Sequence, residues 1–177
     1  MENYGQLQIN LEATQMGRQY PTFEEYLKAE YVGPFSATDI LIRYLVGNEE
    51  GLVLINRKNA PHGLAMPGGM AERIELTQNA VKEAKEETGL EIILDEPLHR
   101  PFGVFSKVSN DPRAFISSTV YTARGIGALA PHPDEDALDA KAYTIPQVRG
   151  LLRQPDIWAF QSHRKIVELY VNERYKL

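Results

Sequence analysis

The chain has 177 residues, of which 43% are hydrophobic and 24% are charged, and it contains no cysteine. This length and composition fit one compact domain with short additions at its ends, and they exclude a wholly disordered chain. The absence of cysteine excludes disulfides, thiolate metal sites, iron–sulfur clusters and cysteine nucleophiles. A formal net charge of −5 gives no general attraction to nucleic acid or to an anionic membrane.

The sequence carries no signal for secretion or membrane insertion. Its first residues lack the basic stretch and apolar core of a secretory signal. The best apolar run, residues 40–46, is interrupted by Arg43 and is far shorter than the roughly 20 residues that span a bilayer. We therefore expect a cytoplasmic protein that binds neither membranes nor nucleic acids.

The chain begins with a segment of mixed pattern and continues with strand-like runs. Residues 1–35 predict an N-terminal arm with one short helix, and residues 36–177 the main domain. Within that domain, residues 40–46 and 52–55 are strand-like and flank the turn-forming residues 47–51, which predicts a β-hairpin.

The pattern after the hairpin alternates between loops, helices and strands. Two loop signals, at residues 61–63 and 67–69, precede a predicted helix with the apolar stripe Leu76, Ala80, Val81 and Ala84, which ends at Gly89. Four strands follow, at residues 90–94, 102–105, 116–123 and 140–145. Pro146 opens a short helix, and a longer one runs from about residue 156 to 175. This order predicts an α/β fold with a mixed sheet.

Three carboxylates are the most informative feature of the predicted helix. Glu83, Glu86 and Glu87 share one helical face, which we place opposite the apolar stripe. Clustered oxygen ligands suit Mg²⁺ or Mn²⁺, which commonly act together with substrate phosphates. The alternative is a solvated face on which Lys82 and Lys85 pair with neighbouring glutamates.

Residues 67–90 resemble the signature of the Nudix hydrolases, G-x5-E-x7-R-E-U-x-E-E-x-G-U, where U is a bulky aliphatic residue. The second half matches directly at Glu83, Glu86, Glu87, Gly89 and Leu90. Two positions depart from it, because Lys82 stands in place of arginine and Ala84 in place of a larger aliphatic residue.

The spacing in the first half of the signature is irregular. Counted from Gly69, Glu75 takes the position of the loop glutamate, but only six residues then precede Lys82. Counted from Gly68, that position falls on Ile74. We therefore expect Glu75 or Glu72 to replace the signature glutamate, with Glu75 preferred as the partner of Lys82.

The resemblance implies a Nudix-type α/β/α sandwich around a mixed sheet. It also implies hydrolysis of a nucleoside diphosphate linked to another moiety, with Glu83, Glu86 and Glu87 holding Mg²⁺, or alternatively Mn²⁺. The turn at Gly68 and Gly69 would let the backbone approach metal and substrate closely. A homodimer is left open.

Three further segments, at residues 57–69, 103–106 and 110–113, are similar to the ADP-ribose pyrophosphatase branch. An acidic turn at Asp134, Glu135 and Asp136 occupies the place of that branch's aspartate-rich turn. It is either a solvated turn or the source of a carboxylate that activates water. This likeness implies a small-molecule nucleotide substrate, with AMP and ribose 5-phosphate as products.

Each candidate substrate contact has a structural alternative. Arg57 is a phosphate ligand or a structural ion pair, and Arg113 a ligand or a turn-capping residue. Phe105, like Phe102, stacks on adenine or belongs to the core. The histidines show no metal-ligand spacing, and His163 is most simply a surface or packing residue.

Two other functions remain open at this stage. One is a Nudix enzyme for a different nucleotide sugar, a dinucleotide or a capped RNA end. The other is a non-catalytic sensor that binds ADP-ribose. The complete set of three helix glutamates favours catalysis.

Overall fold

The computed structural model describes residues 33–97, 100–134 and 136–176. In chain order its strands are β1 (Phe35–Val46), β2 (Glu49–Arg57), β3 (Gly63–Ala65), β4 (Gly68–Met70), β5 (Glu91–Leu94), β6 (Gly103–Phe105), β7 (Ile116–Ile126) and β8 (Ala137–Thr144). The helices are α1 (Leu76–Thr88), α2 (Ile145–Leu152) and α3 (Gln161–Arg174), with short 3-10 turns at Val108–Asn110 and Pro155–Ile157. The expected α/β class is confirmed. The predicted helix of the N-terminal arm lies outside the described residues.

The strands form one mixed sheet. Its central order is β3-β2-β1-β7-β5, and β8, β4 and β6 pair with β2, β1 and β7 respectively. The long central pair β1 and β7 is parallel, whereas the other pairs are antiparallel. The predicted hairpin is confirmed, with Gly47 and Asn48 forming its tight turn between Val46 and Glu49.

Apolar side chains point to both faces of the sheet, as the period of a strand requires. On β1, Ile40 and Ile42 pack with Ala80 and Ala84 of α1. The intervening Leu41 packs on the opposite face, in a cluster that includes residues of α2 and α3. Helices therefore cover both faces, which gives the expected α/β/α sandwich.

Two predicted loops contain short strands instead. Residues 63–65 pair with β2, and residues 68–70 pair with β1. Glycine and proline depress the strand signal, and three residues are too few to show a period. Strand β4 places residues 66–70, the glycine segment, alongside β1.

The predicted long C-terminal helix is also wrong in its first part. A 3-10 turn at Pro155–Ile157 is followed by extended residues, and α3 begins only at Gln161. The extended segment pairs with β3, because Ala159 N–H donates to the Leu64 carbonyl at 2.9 Å and Trp158 bridges Leu64. This tertiary pairing overrides the helical pattern.

None of the helices in the described ranges is long and apolar enough to cross a membrane.

Candidate functional site

A cavity of about 430 Å³ opens beside the glycine segment. Helices α1 and α3, strands β1, β4 and β7, and the loops around residues 110 and 136 contribute to its walls. Its charged lining consists of seven acidic and three permanently cationic residues: Asp39, Glu72, Glu83, Glu86, Glu87, Asp111, Asp136, Arg57, Lys82 and Arg113. An anionic ligand would therefore need additional positive charge to enter.

The three helix carboxylates predicted from the sequence all line this cavity. Glu87 is the most buried, with 2% of its surface exposed, and Gly68 N–H donates to its Oε2 at 2.8 Å. Burial raises the pKa of Glu87 to about 8, and the charges of Glu83 and Asp39 act in the same direction. The Gly68 bond and Arg57 oppose this shift without cancelling it. The positive charge around Glu87 is thus too small to keep its pKa at the ordinary value.

The position of the acidic face differs from the prediction. The side of α1 most open to solvent carries Lys85 and Val81, and Val81 is 38% exposed although we assigned it to the apolar stripe. The acidic face turns toward the glycine segment and the cavity. The reason is that the narrow side chains of Ala80 and Ala84 suffice to seat α1 on the sheet, which leaves the glutamates beside β4.

Two successive glycines lie opposite these carboxylates, and a Cβ at either position would meet a close neighbour. Gly68 has a φ of 152°, and a Cβ there would collide with the Thr38 carbonyl and lie 2.6 Å from Asp39 Oδ1. A Cβ on Gly69 would lie 2.6 Å from the carboxylate carbon of Glu83. Backbone thus lies directly against the acidic face, as expected for this turn.

We expect alanine at these two positions to have separable effects. Gly68→Ala should lower the free energy of unfolding by at least about 2 kcal/mol, since the clash is with backbone at a positive φ. Gly69→Ala should lower it by less than about 1 kcal/mol and instead reduce activity, because the flexible Glu83 side chain can move aside. Chemical denaturation and steady-state kinetics on both variants measure this. A larger stability loss at Gly69 than at Gly68 would contradict the expected order.

Lys82 links the glycine segment to the carboxylate helix. Its Nζ lies 2.8 Å from Oε2 of Glu86 and 3.0 Å from Oε1 of Glu72. Hydrogen bonds to Glu86 and Glu72 raise the pKa of Lys82, so it remains charged. The preferred partner, Glu75, is not the one found: Glu75 is the N-cap residue of α1, and its carbonyl accepts the Asn79 N–H at 2.9 Å.

Backbone anchoring explains why Glu72 takes the place that we gave to Glu75. Glu72 N–H donates to Asn79 Oδ1 at 3.1 Å, and Asn79 is itself fully buried. This bond brings Glu72 back over the first turns of α1, within reach of Lys82.

A double-mutant cycle should identify the partner in solution. We expect Lys82→Met and Glu72→Gln to show a coupling energy of about 0.5 kcal/mol in stability, a modest value because both side chains are partly exposed. The matched cycle with Glu75→Gln should be additive. Coupling to Glu75 but not to Glu72 would show that the loop adopts a different conformation.

Arg57 is nearly buried at the end of β2 and forms a structural ion pair. Its Nη2 donates to Asp136 Oδ2 at 2.6 Å, and its Nε donates to the Pro61 carbonyl at 3.1 Å. Asn59 donates to the other oxygen of Asp136. Asp136 is therefore not a solvated turn residue, although the exposed Asp134 is, and Glu135 lies outside the described residues.

Arg113 also lines the cavity and is held by a forked pair of bonds. Its Nε and Nη2 donate to the two oxygens of Asp111 at 3.0 and 2.8 Å. Burial favours the neutral acid, but these bonds still hold the pKa of Asp111 below its usual value. The guanidinium carbons of Arg113 and Arg57 each lie 5.2 Å from the centre of the Phe160 ring. Arg57, Arg113 and Phe160 thus form one side of the cavity, the cationic wall.

Phe105 of β6 and the preceding Phe102 are stacked with ring centres 6.4 Å apart, and both pack against the core. Phe105 lines the cavity, as the adenine-stacking alternative requires. Phe102 packs on the core and meets Tyr170 edge-on with ring centres 5.5 Å apart.

Several cavity residues were not predicted as site residues, among them Asp39, His163 and Phe160. Asp39 is 6% exposed within β1, and a buried acid inside an apolar strand was the signal that could have identified it. His163 lies in the cavity wall, whereas we expected a surface or packing residue. Phe160 lies in the cavity wall immediately before α3, at a position where the sequence predicted part of the last helix. No local pattern in the sequence indicated that His163 and Phe160 would line the cavity.

The acidic lining supplies a suitable donor set for a hard divalent cation. Glu83, Glu86 and Glu87 face one cavity with an excess of negative charge, and added positive charge would favour the ionised form of the buried Glu87. As they stand, however, no three acidic or histidine side chains of the described residues are arranged to hold an ion. Glu86 would have to exchange its bond to Lys82 for the ion.

Comparison with known proteins places these observations in a family. The sequence profile of the NUDIX domain matches residues 38–170. No curated protein matches the chain.

Three solved structures are similar in fold. The first is the NUDIX domain of Shewanella oneidensis NrtR complexed with ADP ribose, with a TM-score of 0.66 and 18% identity over 88% of this chain and 99% of that one. The second is a bifunctional NMN adenylyltransferase/ADP ribose pyrophosphatase from Francisella tularensis complexed with AMP and a Mn ion, with a TM-score of 0.63 and 20% identity over 85% of this chain and 44% of that one. The third is a MutT/nudix family protein from Enterococcus faecalis, with a TM-score of 0.57 and 24% identity over 70% of this chain and 51% of that one. The chain thus spans about half the length of the Enterococcus protein. At these identities the likeness shows the fold, and the expected Nudix-type sandwich is confirmed.

Proposed function

Because the chain belongs to the Nudix family, we propose that it is a divalent-metal-dependent hydrolase of the diphosphate bond in ADP-ribose or a closely related nucleoside diphosphate derivative. The observation that carries this proposal is the convergence of Glu83, Glu86 and Glu87 with the glycine segment on one acidic cavity. Its volume of about 430 Å³ lies within the usual range of small-molecule sites.

The proposed roles follow from the chemistry of the lining. Glu83, Glu86 and Glu87 would hold Mg²⁺ or Mn²⁺, which supplies positive charge to phosphate oxygens and lowers the pKa of bound water. Gly68 N–H fixes one oxygen of Glu87. Lys82 keeps Glu72 and Glu86 together beside the glycine turn. Water adds across the P–O–P bond, so that AMP and ribose 5-phosphate are released.

The cationic wall would contact the rest of the substrate. Arg57 and Arg113 each keep part of the guanidinium group outside the bonds to Asp136 and Asp111, and guanidinium groups bind phosphate well. Phe105 offers a ring for stacking at the same cavity. Support for ADP-ribose comes from the sequence likeness to its pyrophosphatases and from two of the similar structures, one complexed with ADP ribose and one of a bifunctional ADP ribose pyrophosphatase.

A substrate panel tests the proposal. We expect Mg²⁺- or Mn²⁺-dependent release of AMP from ADP-ribose, with a kcat/KM above that for GDP-mannose, diadenosine polyphosphates and nucleoside triphosphates. Chromatographic detection of products, with EDTA as the control, measures this. A preference for triphosphates would overturn the ADP-ribose assignment, and turnover of every substrate in EDTA would overturn the metal dependence.

One observation favours a second candidate, an ADP-ribose-binding protein without hydrolytic activity. Glu86 is tied to Lys82, and the described acidic side chains are not arranged to hold an ion as they stand. Calorimetric titration with ADP-ribose in Mg²⁺, followed by analysis of the same sample for AMP, separates the two candidates. Binding with no AMP would establish the second.

A further inference from the structure

Three successive residues of the glycine segment are each held by a different element. Met66 N–H donates to Nδ1 of His163 at 3.1 Å, and His163 belongs to α3. The Pro67 carbonyl accepts the Ile40 N–H of β1 at 2.9 Å. Gly68 N–H donates to Glu87 of α1 at 2.8 Å. The direction of the Gly68 N–H, and with it the position of Glu87, therefore depends on anchors that precede it by one and two residues.

The His163 ring is held by partners at both nitrogens. Since Nδ1 accepts a bond from Met66, the hydrogen of the neutral ring resides on Nε2. Nε2 lies 3.5 Å from Oδ1 of Asp39, which completes an arrangement in which one nitrogen accepts and the other faces an acceptor. Burial and the nearby Arg57 and Arg113 lower the pKa of His163, although Asp39 and Asp111 oppose this. The neutral tautomer is thus the one that the site favours.

Asp39 lies directly behind the glycine segment. It is the sheet partner of Gly68 between β1 and β4, and its Oδ2 accepts the hydroxyl hydrogen of Ser118. A Cβ on Gly68 would approach Asp39 Oδ1 to 2.6 Å, which shows how closely the backbone follows this carboxylate. Asp39 and His163 therefore both contact the segment at or within two residues of Gly68, the residue that bonds to Glu87.

We propose that His163 is a positioning residue for the reaction: by accepting the Met66 N–H it sets the Met66–Gly68 backbone so that Gly68 N–H faces Glu87. This inference rests on the proposed hydrolase function. A histidine that merely fills space would need no particular partner at Nδ1. Here Nδ1 of His163 bonds to the Met66 N–H, and only two peptide units separate this N–H from the Gly68 N–H that bonds to Glu87, a proposed metal-binding carboxylate.

Two amide substitutions separate the functions of the two ring nitrogens. Asparagine places an acceptor oxygen near the position of Nδ1, whereas glutamine places an amide nitrogen near that of Nε2. We expect His163→Asn to keep kcat within about threefold of the wild type. His163→Gln and His163→Ala should lose roughly 10- to 100-fold in kcat with little change in KM, the usual range for a supporting partner.

A matched control removes stability from the same helix without changing a residue of the cavity lining. Val167 is fully buried on α3 and is not part of the cavity lining. Val167→Ala should lower Tm and leave kcat within about twofold. If kcat of the His163 variants simply follows Tm along the line defined by this control, His163 has only a structural role and the inference is wrong.

Hydrogen exchange gives a readout that needs no substrate. The Met66 amide should be protected in the wild type and in His163→Asn, and should exchange faster in His163→Gln and His163→Ala. Equal exchange in the asparagine and glutamine variants overturns the inference whatever the substrate is. If the exchange pattern is as expected but the wild type hydrolyses no nucleotide, the proposed function fails while the role of His163 in holding the segment stands.

Discussion

Glu87→Gln should lower kcat for ADP-ribose by at least about 10²-fold while the protein remains folded. The substitution keeps the size of the side chain but removes the negative charge that a divalent cation requires. Glu86→Gln should have a similar effect, because Glu86 lines the same cavity and is also a proposed ligand of the metal ion. Removing the charge of Glu87 from a repulsive cluster should leave stability unchanged or raise it. Glu86→Gln also removes a charge that pairs with Lys82, so its stability should change by less than about 1 kcal/mol in either direction.

Steady-state kinetics in Mg²⁺, with thermal unfolding of each variant, checks this expectation. Glu91→Gln is the matched control, since Glu91 is an exposed acid that pairs with Lys85 at 2.7 Å outside the cavity. Full activity in both Glu86→Gln and Glu87→Gln would remove the basis for metal binding by α1. A loss in Glu91→Gln of the same size would mean that general charge, rather than the site, is responsible.

The metal-free protein should lose stability as the pH rises from about 6.5 to 8. Burial raises the pKa of Glu87 from its ordinary value of 4.5 to about 8, so the folded state binds one more proton than the unfolded state in this interval. The stabilisation is complete below the unfolded pKa and is lost as the pH rises through the folded one. At 1.36 kcal/mol per pH unit, the loss between pH 6.5 and 8 is about 2 kcal/mol. Below pH 6.5 the lowered pKa of His163 acts in the opposite direction, because the unfolded chain binds a proton there that the folded ring does not.

Denaturant titrations in EDTA at a series of pH values measure this dependence. Glu87→Gln should be nearly independent of pH in the same interval and should be the more stable protein at pH 8. Mg²⁺ or Mn²⁺ should restore stability to the wild type at pH 8 and have little effect on the variant. Parallel pH profiles for the two proteins would show that Glu87 is ionised in the metal-free fold and that its charge is balanced by other groups.

Local signals were sufficient to predict the carboxylate helix. The spacing of Ala80 and Ala84 gave its buried side, and Gly89 ends it in the left-handed conformation, with a φ of 77°. Both features depend on residues within four positions of one another. The start of α2 also depends on neighbouring residues, because Thr144 and Gln147 form a capping box around its first turn, which contains Pro146.

Features that depend on tertiary contacts could not be predicted in this way. The ion pair between Lys82 and Glu72 depends on the bond from Glu72 N–H to Asn79, which residue spacing does not reveal. His163 reaches the Met66 backbone across 97 positions of sequence. The extended conformation of Trp158 likewise follows from a partner strand far away in the chain.

The pairing of the Trp158 segment with β3 has a consequence for self-association. A three-residue strand beyond β2 would otherwise present unpaired backbone groups, which act as a template for another chain. Here Leu64 already bonds to Ala159, and a Cβ on Gly63 would lie 2.5 Å from the Ile157 carbonyl, so the chain's own backbone occupies that edge. Trp158 is buried in the core at the same point. Strand addition at β3 would have to extract this tryptophan, which protects the sheet against aggregation along this side.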